Sequence, residues 1–167
     1  MLSAEPRTDV LALRALEAQT LIRHAIRAFP DEACGLLLEH GTRRWVHPAQ
    51  NVQGVLHAQD PTRFAPATQA FTLDPVSLMA IRALQRAGGR VLAIYHSHPN
   101  GLAALSREDH RRALSRLGMP LYPSADQVVI ALGGDLRQPV IVAARWDAAG
   151  HAYRPVGVEV RENLQME

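Results

Sequence analysis

The chain of 167 residues contains no lysine; all 18 of its basic residues are arginine. No lysine side chain is therefore available for conjugation or acetylation. Cysteine is almost as scarce. The single Cys34 excludes an internal disulfide framework and a cysteine-built zinc cage. No apolar run approaches the roughly 20 residues of a membrane span. The N-terminal stretch carries Glu5 and Asp9 before any apolar segment, which argues against a secretory leader. A cytoplasmic protein is the expectation. No internal repeat, low-complexity tract or second domain interrupts the sequence, so residues 1–167 read as one domain.

The charge is nearly balanced, at +2. Arginine suits bidentate binding of carboxylate or phosphate. Here, though, the arginines are scattered, with short clusters only at Arg43-Arg44 and Arg111-Arg112. That is a weak footprint for nucleic acid. Coding bias in a GC-rich genome, which the abundance of alanine also suggests, accounts for the missing lysine.

Almost half the chain is hydrophobic, enough for a substantial core. Leu16, Ile22, Ile26 and Phe29 recur at helical spacing, and Pro30 closes that helix. The segments ACGLLLEH and TRRWVHP flank Gly41 and read as paired strands. Residues 48–70 have three prolines and little periodicity, which predicts a long loop. AFTLD reads as a short strand. Asp74-Pro75 then gives an N-cap with proline at the first helical position, opening a helix through Val76, Met79, Ile81 and Leu84. RVLAIYHSHP is a continuous apolar run, as expected of a central strand. SREDHRRALSRLG reads as a helix, and QVVIALGG, PVIVAARWD and HAYRPVGVEV as strands, the last two joined by a turn at residues 147–150. The fold class is α/β or α+β, built on a mixed sheet of about six strands flanked by helices.

His96 and His98 close the central run. Residues i and i+2 of a strand face the same way, roughly 7 Å apart at Cα, so both imidazoles can reach one ion. In a chain with eight histidines that pair alone is weak. Its surroundings add to it. Pro99 and Gly101 open a loop, and a helix begins at Ser106 with Asp109 in its first turn. Such a helix start can bring Asp109 over the strand end. Two imidazoles and one carboxylate make a three-ligand zinc site with a fourth position for water. Ser106-x-x-Asp109 reads equally well as a capping box, and local physics does not choose between cap and metal. A hydrolytic site also needs a base. Glu32, Glu39, Asp60, Asp74 and Glu108 are candidates. Glu32 stands out because it enters a buried strand, where an unpaired acid is costly.

HSHPNGLAALSRED fits H-x-H-x7-S-x-x-D and resembles the signature of the JAMM/MPN+ zinc metallopeptidases. The upstream PDEACGLLL is similar to that family's E-x-C-G segment, in its compact bacterial type. The order of elements agrees from about Leu16 to Val160. The resemblance implies a cytidine-deaminase-like fold, a curved mixed sheet between helices. It also implies Zn2+ held by His96, His98 and Asp109. Glu32 would activate the water and Ser106 would stabilise the oxyanion. The implied substrate is a ubiquitin-like sulfur-carrier protein cut after its C-terminal Gly-Gly, with carrier contacts at residues 48–70. Membrane and nucleic-acid partners are not expected, and a homodimer is left open. Two readings compete: a binding module stabilised by its metal, and a nucleic-acid-associated domain of similar fold.

Overall fold

The structure, a computed structural model, describes residues 8–134, 136 and 138–162. Its strands are β1 (Val10–Arg14), β2 (Cys34–His40), β3 (Arg43–Ala49), β4 (Arg90–His98), β5 (Asp126–Ala131), β6 (Val140–Asp147) and β7 (Ala152–Arg161). The helices are α1 (Ala15–Ala28), α2 (Gln53–Gln59), α3 (Pro75–Arg86) and α4 (Arg107–Arg112). The seven strands form one mixed sheet in the order β1-β7-β6-β5-β4-β2-β3. Pairing is parallel for β1–β7 and β4–β5 and antiparallel elsewhere. The sheet curls until its two edges approach one another. Arg44 of β3 donates to the Ala12 carbonyl of β1 at 3.1 Å and to Glu17 of α1 at 2.9 Å. An ion pair and a helix thus blunt two strand edges that would otherwise invite pairing with other chains.

Two apolar clusters hold the layers together. Leu11, Leu13, Leu21, Leu37, Tyr95 and Ile130 are among those under α1. Leu36, Leu38, Ile81, Val91 and Ile94 pack under α3 on the other face. β4 lies in the middle, buried along its length after Arg90, because both faces are covered. This is the continuous apolar run that the sequence showed.

Several expectations need correction. The sheet has seven strands rather than about six; β1 was not anticipated, since it runs into α1 without any turn signal. AFTLD makes only an isolated bridge, Leu73 to Asn51. The long loop at residues 48–70 contains α2. Helix α4 stops at Arg112 instead of running on toward Gly118, and Leu114 bridges Pro120. Helix α1 is where the periodicity places it, but it turns a different face inward. Ala18, Leu21 and Ala25 are buried, while Leu16 is 59% and Phe29 45% exposed. Alanines let the helix axis come close to the sheet, and they contribute little to a hydrophobicity pattern. In α3 the Asp74 cap is present, its carboxylate accepting from Ser77 N at 2.9 Å. There Ser77 and Ile81 face inward, and Val76 and Met79 do not. No helix among the described residues is long and apolar enough to cross a membrane.

Candidate metal centre

Along β4, Tyr95 faces the α1 cluster and Ile94 the α3 cluster. Alternation therefore puts His96 and His98 on the Ile94 side. Both are buried, at 0% and 4% exposure. After β4 the chain turns at Gly101, whose φ of 78° suits glycine. It then enters α4, whose first turn lies over the strand end. His96 Nε2 and His98 Nε2 are 3.0 Å apart. Asp109 bridges them, with Oδ1 3.3 Å from His96 Nε2 and Oδ2 3.2 Å from His98 Nε2. One ligand atom from each of the three lies within 4.8 Å of the others.

The donor chemistry fits a cation. Donors bound about 2.0–2.1 Å from a tetrahedral zinc ion stand ~3.3 Å from each other, close to the separations found. The Leu102 carbonyl can only accept, so the 2.8 Å contact from His98 Nδ1 places a proton on Nδ1. That tautomer leaves Nε2 with a lone pair facing the cluster. Burial lowers the pKa of His96 despite the opposing pull of Asp109. Burial alone would raise the Asp109 carboxyl, but its close contacts with His96 and His98 hold it well below the usual carboxylate range. The result is a fully buried imidazole, a second imidazole aimed by its carbonyl partner, and a carboxylate between them.

Glu32 precedes β2 and is 4% exposed. Burial pushes its carboxyl up to about 7, against the pull of His98 and with the push of Asp109. Its Oε2 has no hydrogen-bond partner. The other candidate bases are engaged elsewhere. Glu39 pairs with Arg90 and Glu108 with Arg111. Asp60 binds Thr62 and Arg63, and Asp74 caps α3. Of the five acids, only Glu32 is a buried carboxylate with an unclaimed oxygen and electrostatic neighbours inside the histidine–aspartate cluster. Cys34 is fully buried, its thiol pushed up to about 12 by burial, as befits a packing residue.

Residues 16–148 match the model of the prokaryotic homologs of the JAB domain. The chain belongs to this JAB family. A curated relative from Thermus thermophilus, named a probable TtuB-protein conjugate cleaving protease, is 37% identical over 100 residues. That match covers 59% of this chain and 60% of the relative, so the chain spans about three-fifths of that protein's length. The solution structure of DSY2949 from Desulfitobacterium hafniense is 26% identical, with a TM-score of 0.64, covering 93% of this chain and 95% of that one. A Salinibacter ruber protein, also solved in solution, shares the fold at 21% identity and a TM-score of 0.55, covering 93% and 94%.

Within this JAB chain Ser106 caps α4, accepting at its Oγ from Asp109 N at 3.1 Å. Three further residues at the site escaped sequence reading. Phe71 stacks on the His96 ring, centroids 4.6 Å apart and 22° from parallel. Ser97, between the two histidines, accepts at Oγ from Ala33 N at 2.8 Å. Asn51 donates to the Glu32 carbonyl at 2.9 Å. Ser97 could have been flagged, since a polar residue on the opposite face of a fully buried strand needs a partner. Phe71 and Asn51 lie in irregular chain, where sequence carries no directional signal.

Proposed function

We propose that this JAB protein is a zinc-dependent peptidase of the cytoplasm that cuts after the C-terminal Gly-Gly of a ubiquitin-like sulfur-carrier protein. The observation that carries the reading is the convergence of His96, His98 and Asp109, with the free carboxylate of Glu32 in the same buried electrostatic cluster. The substrate class is drawn from the relative named for cleaving TtuB conjugates.

His96, His98 and Asp109 would hold the zinc, which when bound supplies Lewis acidity toward a carbonyl oxygen and lowers the pKa of water. Glu32 takes a proton from the attacking water and returns it to the departing amine. Burial pushes its carboxyl up to about 7, a value suited to both transfers near neutral pH. The Ser106 oxygen already accepts from Asp109 N, and its own hydrogen remains available for the developing oxyanion. An extended tail without side chains suits a site at a strand end. Glycines offer little to grip, so affinity comes from the carrier's folded body docked elsewhere on the protein.

The test is to incubate the protein with the same organism's ubiquitin-fold sulfur carriers bearing C-terminal extensions and to read the products by intact mass. Cleavage should fall directly after Gly-Gly and stop when the penultimate glycine is made bulky. Equal cleavage of an unrelated unfolded protein would reject carrier processing.

A further inference from the structure

Asn51 lies in the middle of the segment between β3 and α2, away in sequence from His96, His98 and Asp109. Its side-chain amide uses all four of its hydrogen-bonding positions. Nδ2 donates to the carbonyls of Glu32 at 2.9 Å and Ala70 at 3.1 Å. Oδ1 accepts from the backbone N–H of Gln53 at 3.0 Å and Thr72 at 3.1 Å. One side chain thus grips the peptide of Glu32, the two residues on either side of Phe71, and the start of α2.

Glu32 and Phe71 both lie outside the strands of the sheet. Glu32 precedes β2, and hydrogen bonds fix its backbone and that of Ala33, whose carbonyl accepts from Ser97 N–H at 2.9 Å. The Glu32 N–H donates to Ala67 O at 2.8 Å, its carbonyl accepts from Asn51, and the following Ala33 N–H donates to Ser97 Oγ. Phe71 lies in irregular chain, yet its ring lies flat on the His96 imidazole. Hydrogen bonds at Ala70 and Thr72 anchor that ring from both sides.

We propose that Asn51 is a positioning residue that ties the backbone of Glu32 to the segment carrying Phe71, so that the base and the ring stacked on His96 are coupled through one side chain. Aspartate has nearly the same shape but cannot donate. Asn51→Asp removes the bonds to Glu32 and Ala70 and sets a negative charge against their carbonyl oxygens. The role in turnover rests on the proposed peptidase reading; the coupling of the two segments does not.

The experiment therefore has two arms. In the first, amide hydrogen exchange is followed in the wild-type protein and in Asn51→Asp. Residues 31–33 and 70–72 should lose protection together in the variant, while β4 and β5 keep theirs. If both segments stay protected, or only one opens, the coupling is wrong, whatever the protein catalyses. In the second arm, steady-state cleavage of an extended carrier is measured at saturating zinc and at a temperature where the variant is folded. kcat should fall by about 10²-fold, the scale of a small misplacement of a catalytic group, with KM within about twofold of wild type and one zinc per chain retained. An unchanged kcat with faster exchange would overturn the positioning role. Absence of turnover in wild type would overturn the peptidase reading and leave the first arm decisive. Should Asn51→Asp not fold, Ser97→Ala removes the neighbouring tie at Ala33 alone. It should lower kcat and speed exchange at residues 31–33 without loosening 70–72. Loosening of both would assign the coupling to β4 instead of Asn51.

Discussion

Asp109 serves Ser106 and His98 with the same oxygen: its Oδ2 accepts from the Ser106 backbone N–H at 2.7 Å and lies 3.2 Å from His98 Nε2. The two readings of the Ser106–Asp109 pair, helix cap and metal site, are therefore not alternatives. The capping box locks the carboxylate's rotamer, and the locked rotamer points at the histidines. A six-residue helix such as α4 is too short to stand on its own hydrogen bonds. The cap and the proposed metal site therefore depend on each other.

Ser106→Ala separates these contributions. Losing the cap should cost about 1 kcal/mol of stability. Where the Ser106 hydroxyl donates to the oxyanion, as proposed, kcat should also fall by roughly 10²-fold. Thermal melting and steady-state kinetics on the same sample decide. A folded variant with full kcat would leave Ser106 as a cap only.

Base and ligand should respond differently to mutation. His98→Ala removes a donor from the cluster and should abolish zinc binding, read by elemental analysis. Glu32→Gln should retain one zinc per chain and lose turnover, because an amide cannot take up the water's proton. The glutamine should also match or exceed wild type in thermal stability, since it replaces a buried carboxylate whose Oε2 has no partner. Zinc loss from Glu32→Gln would make Glu32 a ligand.

Much of this site was legible because its signals are local. A buried strand ending in His-x-His, a turn with Gly101, and a serine-capped helix start place three side chains by geometry that short sequence specifies. The fold was legible in its central parts, β2, β4, β5 and α3, where apolar runs and the Asp74-Pro75 start are strong. The edges were not. β1 gains its place from parallel pairing with β7, more than 140 residues away in sequence at Val10 and Gly157. Nothing in five residues announces such a partner. The inward face of α1 does not follow from its large apolar residues, because Ala18 and Ala25 pack against the sheet while contributing little to a hydrophobicity pattern. Asn51 and Phe71 owe their roles to where the segment between β3 and α3 returns, a tertiary fact.

Gly35, the glycine of the E-x-C-G segment, has a packing explanation. A Cβ there would lie 2.5 Å from the Tyr95 ring and 2.5 Å from the His47 carbonyl. Tyr95 is fully buried across the strand pair, with Gly35 opposite it in the β2–β4 register. Gly35→Ala should destabilise the protein by about 1–3 kcal/mol, the range for overpacking a core. Denaturant unfolding measures it. A cost below ~0.5 kcal/mol would mean that the Tyr95 ring and the β3 backbone at His47 can both give way.

The same Tyr95 ties the fold to pH. His24 on α1 sits half-buried, with Nδ1 2.8 Å from the Tyr95 hydroxyl. Burial, and then the nearby charge of Arg27, hold its pKa below the ordinary value of 6.5. Between that lowered value and 6.5 the unfolded chain binds a proton that the folded chain resists, so stability rises with pH through this window. The contribution is complete above 6.5 and is lost as pH falls through the folded pKa. His98 bends the curve the other way in metal-free protein, because its pKa is raised. A difference measurement on zinc-loaded protein therefore isolates His24. Wild type should lose more stability than His24→Gln between pH 7 and pH 5. Equal losses in the two proteins would show that His24 titrates as it does in the unfolded chain and that the Tyr95 contact places no constraint on its charge.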